Sequence, residues 1–171
     1  MEDPIVIVDY DANWSNQYEQ EKRRIIDALG DTIADIQHIG STSVPGLAAK
    51  PIIDIILGLE KIPPLSNQIV SLEALGYTYC GESGIPGRHF LVRGMPGTHH
   101  IHAVQVNSDL WQRNILFRDF LRSHPQAAQQ YEALKRKLAE EFRNERDRYT
   151  DSKTPLIEQL LIQARAWQHN L

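Results

Sequence analysis

Two hydrophobic periods run along this chain, and the shift from one to the other falls near residue 108. Ile5–Val8 is β-branched and predicts a short first strand. "DYDANWSNQYEQEKRRIIDALG" then changes to helical spacing, with Trp14, Tyr18, Ile25, Ile26 and Leu29 on one side. Asn13 or Asp11 can cap this helix and Gly30 ends it. "TIADIQHIG" predicts a second strand that delivers His38 to a turn rich in glycine and serine. Pro51–Leu57 is apolar, β-branched and too short for a core helix, which predicts a third strand. "PPLSNQIVSLEALG" predicts a helix closed by Gly76. "YTYC" follows, then the loop "GESGIPG", a strand over residues 88–92, the turn "RGMPG" and the strand "THHIHAVQV". The last two strands predict a hairpin.

From Ser108 the pattern is helical throughout. Leu110, Trp111, Ile115, Phe117, Phe120 and Leu121 make a broad apolar stripe. Pro125 suits the first turn of a second helix running through "PQAAQQYEALKRKLAEEFRNERDRY", and "SKTPLIEQLLIQARAWQH" predicts a last one. The expected architecture is α+β: one domain over 1–171, with a mixed sheet flanked by helices in 1–107 and a helical layer in 108–171.

Composition narrows the function classes. The chain has 171 residues, 42% of them apolar and 23% charged, which suits a folded domain with its own core. A formal net charge of −4 disfavours a general nucleic-acid binder. The single cysteine excludes an internal disulfide framework. No apolar run reaches the roughly 20 residues of a membrane helix, and the acidic N-terminus lacks a signal pattern. A cytoplasmic protein without membrane contact is expected.

The chemistry concentrates in "HIGSTSVPGLAAKPIIDIILGL". Gly40, Ser41, Thr42 and Ser43 have the composition of a phosphate-binding turn, since glycine admits close approach and hydroxyls add hydrogen bonds. The strand beyond it carries Asp54, which shares a face with Ile52 and Ile56. A carboxylate in so apolar a strand is costly if unpaired. Either a cation or backbone amides hold it, or it serves a metal or acts as a base.

"HIGSTSVPGLAAKPIIDI", "HHIHAV", "FRDFLRSHPQAAQQYEALKRKLA" and the pair Tyr149 and Lys153 closely resemble the GrpB family, which belongs to the nucleotidyltransferase superfamily that includes DNA polymerase β. The resemblance covers nearly the whole chain. It implies a nucleotidyltransferase-like mixed sheet with the cleft beside the Gly-Ser turn. It also implies that Gly40 and Ser41 hold nucleotide phosphates, and that Asp54 is the first of two metal-binding acids on the next strand. Ile56 stands where the second acid is expected. A clamp of two metals is therefore in question.

His100 and His102 lie two apart on "THHIHAV" and share a strand face, with His99 on the other. With Asp54 they form a candidate site for a divalent metal, Mg, Mn or Zn; the donor types suit zinc, manganese or iron, and suit magnesium, which prefers oxygen, less well. The histidines could equally be half-buried residues bonded to backbone or to Glu82. His38 could touch phosphate or simply pack. Lys50, Arg88, Arg118, Lys135 and Lys153 are candidate phosphate contacts, with Arg122 four residues from Arg118, Tyr131 four from Lys135 and Tyr149 four from Lys153. Glu82 is a candidate replacement for the absent acid. Three functions follow as expectations. One is a transferase that binds a nucleotide or phosphorylated small molecule, with Asp54 and Ser41 as catalytic residues. The second is a non-catalytic module for the same ligands. The third is a His/Asp metal-dependent phosphoester hydrolase.

Overall fold

The computed structural model describes residues 3–171, which form a five-stranded mixed sheet and five helices. Helix α1 is Asn13–Leu29, followed by strands β1 (Asp35–Ile39) and β2 (Ile53–Leu59). Helix α2 (Ser66–Ala74) precedes β3 (Tyr77–Tyr79), β4 (His89–Arg93) and β5 (His99–Gln105). Helices α3 (Asp109–Ser123), α4 (Pro125–Glu141) and α5 (Arg146–His169) complete the chain. Among the described residues no helix is long and apolar enough to cross a membrane.

Local signals account for most element ends. Asp11 rather than Asn13 caps α1: its carboxylate accepts the Asn13 N–H at 2.8 Å. Ser108 caps α3 by accepting the Trp111 N–H at 3.3 Å, and Pro125 opens α4. Three expectations move. Ile5–Val8 joins no sheet: Val8 makes one bridge to Ala49, and Ile5 packs against Leu138 of α4 and Phe142 just beyond its end. The third strand lies two residues later than its pattern predicts, because Ile52 N–H bonds back to Lys50 and pairing starts at Ile53. The helix predicted through Tyr149 stops at Glu141, and Tyr149 falls in the first turn of α5, with Pro155 inside that helix.

The strand order is β1-β2-β5-β4-β3. Only β2 and β5 pair in parallel, and β4 and β5 form the expected antiparallel hairpin. Period-two geometry sorts the side chains of β2 and β5 between two layers. Ile53, Ile55, Leu57, Ile101 and Ala103 face α1 and α2, in one core with Trp14, Ile25 and Leu72. Ile56 and Val104 face the opposite way and bury against Trp111 of α3, with Ile39 beside them. Burial of each such aliphatic chain is worth about 1.5–3 kcal/mol. The helical layer forms its own core of Phe120, Leu121, Tyr131 and Leu160, which also covers Val44 and Leu47 beyond the Gly-Ser turn.

Gly58 admits the Trp111 ring over β2: a Cβ there would meet Trp111 Cζ3 at 2.8 Å. Gly58→Ala is therefore expected to destabilise the protein by about 1–3 kcal/mol through overpacking. The denaturant midpoint should fall and Trp fluorescence should change. An unaltered midpoint would show that α3 rides freely on the sheet.

Candidate functional site

The parallel register sets Asp54 beside His100 and Ile56 beside His102. Asp54 thereby meets both imidazoles: His102 Nε2 lies 3.0 Å and His100 Nδ1 3.5 Å from Asp54 Oδ1. One ligand atom from each of the three residues falls within 4.8 Å of the others. Phe90 braces both rings, with centroids 5.0 Å from His100 and 5.3 Å from His102. Burial pushes the Asp54 carboxyl up, but hydrogen bonds and charge from His100 and His102 outweigh it and hold the group well below the usual carboxylate range.

The Gly-Ser turn abuts this carboxylate. Gly40 has φ 73°, and a Cβ there would stand 2.7 Å from Asp54 Oδ2. Both the backbone conformation and the close approach require glycine. Ser41–Ser43 forms a single 3-10 turn. Its hydroxyls divide by role. Thr42 donates to the Ile52 carbonyl at 3.1 Å and Ser43 donates to the Gly40 carbonyl, so both hold the turn together. The Thr42 proton being committed, His38 Nε2 donates to Thr42 Oγ1 at 2.9 Å. His38 stacks on Tyr18 and burial pushes its pKa down to about 4. It packs behind the turn. Ser41 lines the cleft.

The helical layer grips this turn from across the cleft. Lys135 donates to Ser41 Oγ at 2.9 Å and to the Ala48 carbonyl, while Glu132 accepts the Ala48 N–H at 2.9 Å. Arg122 donates to the Ser43 carbonyl at 2.9 Å, and Arg118 donates to Gln37 at 2.7 Å and to the His38 carbonyl at 3.1 Å. These two arginines thus hold backbone at the base of the turn. Glu82 does not approach Asp54; it accepts the Gly87 N–H at 2.8 Å within its own loop.

Two cavities meet at Gly40, Ser41, Asp54, His102 and Tyr131. The larger, of 660 Å³, reaches Lys50, Arg88, Lys135, Arg146 and Lys153. The smaller, of 280 Å³, runs beneath α3 and α5 and has mainly apolar walls. Of the nine phosphate candidates, all but Ser43 and Arg118 line the larger cavity; Arg118 lines the smaller one.

Tyr149 organises the basic wall. Its ring lies 5.1 Å from Lys50 Nζ and 4.5 Å from Lys153 Nζ, so two ammonium groups share one aromatic face system. Its hydroxyl is fully buried and has no hydrogen-bond partner. Burial and then mutual repulsion with Lys50 push Lys153 down to about 8, and burial lowers Lys50 as well. Burial and then Lys153 push Lys135 down to about 7. Among the described residues no carboxylate lies within 4.0 Å of Lys50, Arg88, Lys135 or Lys153. Asp147 and Asp151 stand at the rim, and five basic side chains outnumber three acidic ones around the cavity. Crowded cations without partners are stabilised by an anion.

The profile of the GrpB protein family matches residues 4–163. The chain belongs to that family. It is 36% identical over 165 residues to UPF0157 protein YqkA of Bacillus subtilis, covering 96% of this chain and 48% of that one. The chain thus spans about half the length of YqkA. It is 31% identical over 163 residues to glutamate-rich protein GrpB of Alkalihalophilus pseudofirmus, covering 92% and 94% of the two chains. The crystal structure of conserved protein GrpB from Enterococcus faecalis shares the fold, with a TM-score of 0.87, 36% identity and coverage of 95% and 99%.

The depressed Lys135 pKa has a definite consequence for stability. Between about 7 and the ordinary lysine value of about 10.5, the unfolded chain binds a proton that the folded one has lost. Folding stability therefore rises with pH through this window, and the penalty of the buried charge is complete below it. Lys135→Met should flatten that rise, measured by urea denaturation at pH 6.5 to 10. A slope equal to that of the parent would show that Lys135 stays charged throughout.

Proposed function

We propose that this protein is a nucleotidyltransferase-fold enzyme that binds a nucleoside polyphosphate in the larger cavity with one divalent metal at Asp54. The observation that carries the reading is a carboxylate and two imidazoles beside a glycine-serine turn, faced by a wall of cations without carboxylate partners. Phosphate oxygens would meet Lys50, Lys153 and Arg88, with Ser41 and Lys135 at the turn. Lys135 is already tethered to Ser41, so it would position that hydroxyl as well as contribute charge. A volume of 660 Å³ suits a whole nucleotide, and the partly exposed Phe90 offers aromatic surface in its wall.

The donor set fits a metal. One carboxylate and two imidazoles within 4.8 Å suit Mn or Zn better than Mg, which prefers oxygen. Such an ion would polarise a phosphoryl oxygen and neutralise charge that develops there. Ile56 cannot extend the set toward a second ion, since its side chain carries no donor atom and is buried against Trp111. That single-ion arrangement, with its imidazole donors, also favours a second reading: metal-dependent hydrolysis of a phosphoester.

Thermal unfolding with Mn²⁺, Zn²⁺ or Mg²⁺, each with nucleoside triphosphates or inorganic tripolyphosphate, tests both. A ligand at a hundred times its Kd adds about 2.7 kcal/mol. Stabilisation that requires Mn²⁺ and polyphosphate together, and that disappears in Asp54→Asn, is the expected result. Release of pyrophosphate would then mark transfer, release of inorganic phosphate would mark hydrolysis, and stabilisation without turnover would mark a binding module. Full metal-dependent stabilisation in Asp54→Asn would remove Asp54 from the site. Acid titration supplies a control. The Asp54 carboxylate contributes stability above the ordinary value near 4, and that contribution is lost as pH falls through its depressed folded value. Asp54→Asn should therefore weaken the acid-side slope.

A further inference from the structure

Resting on the nucleotide reading of the larger cavity, we propose that the smaller cavity is the acceptor subsite, and that the acceptor is an uncharged hydroxyl compound with an apolar, ring-sized body. The two cavities share Gly40, Ser41, Asp54, His102 and Tyr131 and differ in the rest of their lining. The larger one is walled by cations without carboxylate partners. In the smaller one each charge is already balanced: Arg113 pairs with Glu158, and Arg118 pairs with Asp119 at 2.8 Å. A second anion would find no free cation there. Val44, Phe117, Leu121, Ile157 and Leu161 supply apolar wall. Asn114 adds one amide, whose nitrogen donates to the Leu110 carbonyl at 2.8 Å and whose oxygen remains an acceptor.

Size limits the occupant further. At about 30 Å³ per water in the liquid, 280 Å³ is the room of roughly nine waters. A single ring with a short substituent fits and a nucleotide does not. A hydroxyl on that body would reach the junction at Asp54 from the side away from the polyphosphate. Its oxygen would form a bond to the α-phosphorus while the bond from that phosphorus to the bridging oxygen breaks. The pyrophosphate leaves with the electron pair into the basic cavity, and the acceptor proton passes to water in the cleft.

Benzyl alcohol and benzyl phosphate serve as probes, followed by saturation-transfer NMR on the parent protein, Ile157→Phe and the conservative Ile157→Val. Ile157 is only partly buried, so Phe fills the cavity with little loss of core. The alcohol is expected to bind the parent and Ile157→Val and to lose at least about tenfold in affinity in Ile157→Phe. Benzyl phosphate should bind all three alike, through the basic cavity. Mn²⁺ should broaden the alcohol's CH₂ protons in the parent and not in Asp54→Asn. Should Ile157→Phe fail to fold, Phe117→Trp narrows the same cavity from α3. Equal alcohol binding in the filled variants, or loss of benzyl phosphate along with the alcohol, would overturn the subsite. Alcohol binding with no effect of Mn²⁺ would overturn its acceptor role. Failure of tripolyphosphate to stabilise the protein, with alcohol binding still sensitive to Ile157, would overturn the nucleotide reading alone.

Discussion

The parallel pairing of β2 with β5 is the constraint from which the rest of this molecule follows. An antiparallel or shifted pairing would carry Asp54 away from His100 and His102, since a one-residue slip turns each side chain to the opposite face. The observed register brings Asp54, His100 and His102 together on one face at one end of the pair. Toward the other end the same two faces carry Ile56 and Val104, covered by Trp111. The sheet is thus polar where the helical layer parts from it and apolar where α3 lies down on it.

The cleft wall is held by exchanges of hydrogen bonds between sheet turn and helices. Lys135 and Glu132 clamp the two sides of the Ala48 peptide unit, and Arg118 and Arg122 hold carbonyls on either side of Gly40. Charged donors to buried carbonyls are stronger than neutral ones. Four charged residues that would pass for solvated helix surface are therefore what keeps the Gly-Ser turn against Asp54.

Much of this was legible in the residues and some was not. Alternation placed Asp54 with Ile56, and His100 with His102, and the turn "RGMPG" indicated the hairpin of β4 and β5. Adjacency of β2 and β5 is invisible to periodicity, because a parallel partner is reached only after α2, β3 and β4. Ile56 stands where the family resemblance implies an acid, and its side chain lies in a closed core with Trp111, where an unpaired carboxylate would be costly. The end of α4 was hidden because "FRNE" contains neither glycine nor proline, and α5 begins at Arg146, six residues before the predicted start at Ser152. The approach of Lys50 to the Tyr149 ring joins segments about a hundred residues apart, and nothing local announces it. Arg118 and Arg122 carry the right charge at helical spacing, and spacing alone does not separate a phosphate ligand from a backbone clamp.

Asp54 and His102 are 48 residues apart in the chain, and Ser41 and Lys135 are 94 apart. Contacts of such separation form after local ones, because loop closure must precede them. In chain order β1 and β2 precede β5, so the edge of β2 that carries Asp54 is closed only by a strand that comes more than forty residues later. The isolated charge on an otherwise aliphatic strand resists pairing with the wrong neighbour. The carboxylate that meets the histidines in the folded protein is thus also the one charge on an otherwise aliphatic strand edge.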